Sequence, residues 1–316
     1  MGYLENLKRI AKKSSIARAL WKGLNNFRIE IVNFILKKKL LLNYRNSNDN
    51  EINEIISFLK RNKLYLYNYD WYLDSMKADV KINFDENQKA IYFNHNGQKV
   101  YYRRFYDAEG AMYNYKLMIS EQDKRCPHCY NNYISENEMY DVIIDAGTAE
   151  GMFALNHLGK SKCMILVEGD KLWVEALKLT FADQIKDKKV IIVNKYLSDR
   201  NDGEYITLDK IMSSYIGNAK NVLIKMDIEG YEEKALKGAK NLIANVKNIK
   251  IIACSYHHQD AERQIAGILN KYKFRTHHSK GYMYFFPAYE KGLFHEERNH
   301  KIIPLLRRAL VVGVKN

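Results

Sequence analysis

Residues 141–151 read Asp141-Val142-Ile143-Ile144-Asp145-Ala146-Gly147-Thr148-Ala149-Glu150-Gly151, and few folds accommodate such a stretch. An apolar run too short for a helix ends in an acid and opens into a turn of small residues. Helical spacing follows over 152–158. A strand that feeds a helix through a tight turn predicts an α/β sheet whose ligands lie outside the carboxyl ends of its strands. Gly147 and Gly151 let the backbone approach a ligand with no Cβ in the way.

The acids narrow the choice of ligand. A dinucleotide-binding turn carries Gly-x-Gly-x-x-Gly and a bare helix N-terminus for a pyrophosphate, whereas Asp145 and Glu150 here would both repel phosphate. They suit a cofactor with positive charge, such as the ammonium and sulfonium of S-adenosylmethionine. A second apolar run, Met164-Ile165-Leu166-Val167, ends in Glu168. That is about twenty residues beyond the turn, where an acid takes ribose hydroxyls. The competing reading is an ordinary α/β domain whose acids cap helices.

From Asp141 onward strands and helices alternate. Strands are expected near 141–145, 163–168, 190–194, 222–227 and 249–256. The helix between the second and third carries Trp173, Leu177 and Phe181 at i, i+4 spacing. The apolar runs at 282–286 and 308–314 predict a closing pair of strands. With right-handed crossovers this is a doubly wound, Rossmann-like α/β sheet ending in an antiparallel hairpin, the plan of class I methyltransferases. Ahead of it, 80–106 alternate as strands around an Asn96-Gly97 hairpin turn. The crowded aromatics of 64–72 read as core or groove lining. Three regions are expected: a basic helical arm at 1–50, an α+β region on the acceptor side at 51–135, and the sheet domain at 136–316.

Composition bounds the class. A hydrophobic fraction of 47% excludes a disordered chain. No apolar run reaches the roughly eighteen residues of a membrane span, the longest being broken by Lys37-Lys38-Lys39. The N-terminus lacks the pattern of a signal peptide. Met1-Gly2 is not followed by the Ser or Thr that myristoylation needs, because position 6 is Asn6. A cytoplasmic protein is expected, with the inner face of a membrane as a peripheral station. Net charge is +14, but residues 1–45 hold eleven Lys and Arg against Glu5 and Glu30, so the excess sits in the arm and nucleic-acid binding is not implied for the body. Leu4, Leu7, Ala11, Ile31, Phe34 and Ile35 give that arm apolar faces, suited to docking on anionic lipid or a partner. Packing against its own domain, or against a second copy in a homo-oligomer, is the alternative.

Cys126-Pro127-His128-Cys129 has the spacing of a thiol oxidoreductase. Such a site opens a helix just after the first strands of a βαβ unit, and this one stands in a linker before the main sheet. Zinc would need two further ligands, and Cys163 and Cys254 fall in expected strands. The pair reads as reduced bystander thiols.

The fourth strand runs Val222-Leu223-Ile224-Lys225-Met226-Asp227-Ile228-Glu229-Gly230-Tyr231-Glu232-Glu233. Lys225, Asp227 and Glu229 alternate, so a continued strand would point all three one way, beside the glycine turn. Glu232 and Glu233 suit the start of the next helix. With Ala235-Leu236-Lys237-Gly238-Ala239, the stretch resembles the FkbM family of S-adenosylmethionine-dependent methyltransferases, whose hallmark is Lys-x-Asp-x-Glu-Gly-x-Glu followed by Leu-x-Gly. The resemblance spans roughly 80–316. It takes in Thr207-Leu208-Asp209, Tyr256-His257 with Asp260, His277, and Glu121-Gln122-Asp123 with Pro127-His128. Thr148-Ala149 stand where members often have Ala-Asn, and Cys126 where a Ser is usual. No match covers residues 1–70.

The resemblance implies O-methylation of a sugar or polyketide hydroxyl, or of a similar small-molecule acceptor, with S-adenosylmethionine as methyl donor. The cofactor is expected at Asp145, Gly147, Gly151, Glu168, Ser198 and Asp199. His257 is the expected general base. Asp227 would orient it, bind the acceptor, or ligate a divalent metal, while Lys225 offsets its acid neighbours and Glu229 completes the catalytic group. Gln122, His128 and His277 are assigned to the acceptor side. A nucleic-acid methyltransferase would carry an Asn/Asp-Pro-Pro-aromatic turn after the fourth strand; Met226-Asp227-Ile228-Glu229 lacks it and adds two acids. A scaffold without catalysis is the remaining alternative.

Overall fold

The polar break at 46–50 ends one helix and caps the next. Helix α1 (Ser15–Asn43) stops before it, and Asp49 Oδ1 accepts the Glu51 N–H at 2.8 Å to start α2 (Asn50–Arg61). The apolar side of α2 buries Ile52, Ile55, Ile56, Phe58 and Leu59. The computed structural model describes residues 15–285 and 306–316, with side chains from residue 29 onward. Leu4, Leu7 and Ala11 of the arm therefore lie outside the described residues, as does the end of the expected 282–286 strand.

The chain divides into two compact units, residues 1–70 and 71–316. The reason lies in what packs on what. Helix α2 pairs with α1, whereas the hairpin region joins the sheet domain. There β1 (Asn83–Asp85), β2 (Ala90–His95) and β3 (Gln98–Tyr101) form a three-stranded antiparallel sheet. Asn96 and Gly97 both hold positive φ, as a two-residue hairpin turn requires. Helix α3 (Ala108–Glu121) follows, with the Tyr115 ring stacked on Phe93 of β2 at 4.3 Å between centroids.

The main sheet begins with β4 (Tyr140–Ala146) and helix α4 (Met152–His157). Then come β5 (Ser161–Val167), α5 (Lys171–Thr180), β6 (Val190–Val193) and the short strands β7 (Tyr196–Leu197) and β8 (Tyr205–Ile206). The second half holds β9 (Asn221–Met226), α6 (Glu232–Lys237), β10 (Asn248–Cys254), α7 (Ala261–Lys271), β11 (Arg275–His278), β12 (Met283–Tyr284), β13 (Leu306–Arg307) and β14 (Leu310–Lys315). Seven strands lie in the order β11-β14-β10-β9-β4-β5-β6. The five from β6 to β10 across the sheet are parallel, and β14 runs antiparallel between β10 and β11. This is a doubly wound, Rossmann-like α/β sheet with an antiparallel strand closing one side. Strands buried on both faces read as unbroken apolar runs, which is why Val142–Ile144, Met164–Val167 and Ile251–Cys254 were legible as strands; all of these residues are buried.

Two details depart from the expected pattern. The strand that pairs with β14 inside the sheet is β11, at 275–278; β12 instead pairs with β13 in a separate two-stranded ladder. As an edge strand carrying Arg275, His277 and His278, β11 has no apolar alternation to announce it. The fourth parallel strand also ends at Met226. Glu229 takes a left-handed φ of 54° and its side chain is 88% exposed, so it does not continue the alternation of Lys225 and Asp227.

Strand order reverses at β4, with β5 on one side and β9 on the other. At such a switch point the loops leaving the carboxyl ends part and leave a crevice. Gly147 makes the crevice passable. Its φ is +70°, and a Cβ there would lie 1.7 Å from the Asp227 carbonyl oxygen.

Candidate active site

A cleft of about 610 Å³ opens at this point, within the size range of small-molecule and cofactor sites. Gly147 and Ala149 of the turn form part of its wall, with Glu168 at the end of β5, Trp173 on α5, and Tyr196 and Tyr205 from β7 and β8. The Glu168 carboxylate accepts the Ala149 N–H at 2.9 Å and the Asp170 N–H at 2.8 Å. It thus ties the turn to the start of α5. Asp170 caps that helix through the Leu172 N–H at 2.8 Å and pairs with Arg103 at 2.8 Å, and the Arg103 guanidinium lies over the Trp173 ring.

Among the expected cofactor residues, Gly147 and Glu168 line this cleft. Asp145 does not. It is fully buried, with its carboxylate 3.0 Å from Lys225 Nζ, and Lys225 also donates to the Gly147 carbonyl at 2.8 Å. Burial alone would lower the Lys225 pKa, but Asp145 and Asp227 outweigh it and the ammonium is held above its usual range. Gly151 stands behind the turn at φ +86°, where a Cβ would strike Phe181 and Leu177. Ser198 and Asp199 pack beside Gly238, which caps the end of the helix after β9, and are not among the residues lining the cleft. Glu150 is buried, and burial pushes its carboxyl pKa up to about 8, so it does not present the phosphate-repelling charge expected of it.

At the other end of the cleft, Asp227 follows β9. Its Oδ1 accepts the Tyr256 hydroxyl at 3.3 Å and its Oδ2 the Tyr130 hydroxyl at 3.4 Å. Burial raises a carboxyl pKa, yet the charges of His128, Lys225 and His257 hold Asp227 down at about 2. His257, just past β10, turns Nε2 to within 3.6 Å of Asp227 Oδ1 and 3.5 Å of Glu229 Oε2. Its Nδ1 lies 3.1 Å from the buried Glu232 Oε1. Burial would lower the His257 pKa; Glu232 first, then Asp227 and Glu229, bring it up to about 9. Asp227, Glu229 and His257 thus come together, while Lys225 faces the interior.

His128 also reaches this cluster. It is buried, with Nε2 3.6 Å from Asp227 Oδ2 and Nδ1 3.2 Å from Glu121 Oε2. The other two acceptor-side residues do not join it. Gln122 Oε1 accepts from the side-chain amides of Asn131 and Asn156, each at 3.2 Å, and latches α3 to α4. His277 sits in the edge strand β11 with its ring 5.5 Å from that of Tyr133. Cys126 and Cys129 are buried free thiols. Sequence reasoning passed over Tyr130, weighed Cys254 only as a zinc ligand and set it aside as a strand residue, and gave Glu232 no role beyond the family hallmark and a helix start. The signal for Glu232 was its place in the Glu-Gly-x-Glu spacing; Cys254 offered only a thiol ending an apolar strand.

Residues 192–300 match the family model of the Methyltransferase FkbM domain. No curated protein matches the chain. Among solved structures, a methyltransferase FkbM from Methylobacillus flagellatus is similar at 16% identity and a TM-score of 0.42, covering 66% of this chain and 56% of that one. The chain thus spans little more than half the length of that relative. A precorrin-6y C5,15-methyltransferase from Geobacter metallireducens is similar at 10% identity and a TM-score of 0.36, over 57% of this chain and 83% of that one. Trm5b from Pyrococcus abyssi is similar at 11% identity and a TM-score of 0.39, over 75% and 63%.

Proposed function

We propose that this chain, which carries a Methyltransferase FkbM domain over residues 192–300, is an S-adenosylmethionine-dependent O-methyltransferase acting on a hydroxyl of a sugar, a glycan or a similar small molecule. The residues of the cleft fit the cofactor. A Cβ at Gly147 would close the turn against Asp227, and Glu168 at the end of β5 retains lone pairs for ribose hydroxyls. The acids at the far end favour a cation.

The observation that carries the reading is the pair Glu232–His257. A buried carboxylate holds one imidazole nitrogen and leaves the other beside Asp227 and Glu229, which line the cleft. That is the arrangement of a general base. When bound, the cofactor supplies an electrophilic methyl on a sulfonium for in-line displacement. With its pKa held at about 9, His257 acts as a base only in its neutral form, whose share grows as pH rises toward that value. In that form Nε2 would take the proton of the acceptor hydroxyl as its oxygen bonds to the methyl carbon, with the C–S electron pair left on sulfur. Asp227, fixed by Tyr130 and Tyr256, orients the acceptor, and alignment in the cleft provides much of the rate. Asp227 and Glu229 would repel a phosphodiester backbone, so nucleic acid is not the expected acceptor.

A screen of glycan and lipid-linked sugar acceptors with labelled S-adenosylmethionine tests the reading. On an accepted substrate, His257→Ala and Asp227→Asn should each lower turnover at least about a hundredfold, the low end for a general acid–base group, with cofactor affinity changed far less. Full activity of both variants would remove His257 from the role.

A further inference from the structure

The loop before β4 brings a second set of side chains to the end of the sheet. His128 and Tyr130 come from that loop, Asp227 follows β9, and Cys254 is the last residue of β10. Tyr130 Oη lies 3.0 Å from Cys254 Sγ, 3.2 Å from His128 Nε2 and 3.4 Å from Asp227 Oδ2. His128 Nε2 is 3.1 Å from the same sulfur and 3.6 Å from the same carboxylate oxygen. Four ligands at about 2.0–2.3 Å around a tetrahedral ion stand about 3.3–3.7 Å apart. The five contacts run from 3.0 to 3.6 Å, near the dimensions of such a shell, and taking up an ion requires the sulfur side to widen by up to about half an ångström and the Tyr130–His128 edge slightly.

Hydrogen bonds join these atoms, but with few protons to share among them. The Tyr130 hydroxyl, the Cys254 thiol and a protonated His128 Nε2 offer at most three protons to these five close contacts. A cation answers the lone pairs of all four atoms together. Behind the ring, Glu121 Oε2 stands 3.2 Å from His128 Nδ1, the outer carboxylate that orients a metal-bound imidazole. A thiolate and a carboxylate balance the charge of a divalent ion, and one sulfur, one nitrogen and oxygen ligands suit zinc better than magnesium or calcium. The neighbouring set of Asp227, Glu232 and His257 also converges, but Glu232 Oε1 there accepts the Ile228 N–H at 3.0 Å and faces His257 Nδ1, so it serves the imidazole.

We propose that His128, Asp227 and Cys254, with Tyr130 at the fourth corner, bind a zinc-class divalent ion that ties the loop to the ends of β9 and β10. Binding releases the Cys254 thiol proton and any proton on His128 Nε2. The site stands whether or not the chain transfers methyl groups.

The test uses the full chain, stripped by chelator and reconstituted with zinc or cobalt alone. Elemental analysis should give one zinc per chain. The cobalt form should show intense tetrahedral visible bands and a thiolate-to-cobalt charge-transfer band. Cys254→Ser should abolish that band, and Glu121→Gln should weaken zinc binding about 10–100-fold. The Cys126→Ser, Cys129→Ser double variant should keep both stoichiometry and band. The proposal is overturned if the unaltered chain takes up no stoichiometric metal, if its cobalt form lacks the thiolate band, or if the double variant loses the ion. Because the first two readings come from the unaltered chain, a variant that misfolds does not shelter the proposal.

Discussion

Replacing Lys225 with Met separates a structural role for this residue from a catalytic one. Its ammonium is 3.0 Å from a fully buried carboxylate, Asp145, and 2.8 Å from the carbonyl of Gly147. Methionine fills the volume of the stem but leaves Asp145 as an uncompensated charge in the middle of the sheet. Breaking a buried pair from one side costs about 3–5 kcal/mol. Replacing both partners with apolar residues of similar size is often neutral or stabilising by about 1–4 kcal/mol, so Asp145→Leu combined with Lys225→Met should recover most of the loss. Urea unfolding followed by circular dichroism reads both, as a shift of midpoint at constant slope. A loss below about 1 kcal/mol in the single variant, or a double variant as unstable as the sum of its parts, would refute the argument. So would a single variant that keeps its stability and loses turnover, for then Lys225 acts on substrate.

Calorimetry should show S-adenosylmethionine and S-adenosylhomocysteine binding but no NAD, with Glu168→Ala weakening the first two by about 1.5–3 kcal/mol, the scale of hydrogen bonds to a charged group; unchanged affinity would displace Glu168 from the site. Asp141 joins the starts of three strands, accepting from Lys162 Nζ at 2.7 Å and from the N–H groups of Lys220 and Asn221 at 2.9 and 3.1 Å, and these hold its pKa down at about 2. Its contribution is present above the unfolded value of about 4 and lost as pH falls from there toward about 2, so the difference in melting temperature between the protein and Asp141→Asn should narrow over that window; a constant difference would count against it. Ile31, Phe34 and Ile35 of α1 are exposed beside Lys37, Lys38 and Lys39, and deleting residues 1–45 should abolish pelleting with anionic vesicles while leaving cofactor binding intact. Equal pelleting of the truncated chain would exclude a membrane role for the arm.

The sequence by itself determined the sheet. Runs such as Val142-Ile143-Ile144 and Met164-Ile165-Leu166-Val167 have no partner-independent use except as strands buried on both faces, and the glycine turn after Asp145 marked where the order reverses. The hallmark Lys-x-Asp-x-Glu-Gly-x-Glu brought the right segment to the crevice. What no local pattern encodes is which charge meets which. Lys225 and Asp227 are two residues apart, yet one turns inward to Asp145 while the other faces the cleft, because β9 ends between them at Met226. The edge strand β11 escaped notice because one open side removes the need for apolar residues. His128 meets Cys254 and Asp227 only because the loop before β4 folds back over the sheet ends. Periodicity follows from burial on a regular surface, which every residue of a strand experiences. The site follows from convergence of loops far apart in the chain, which only the packed structure decides.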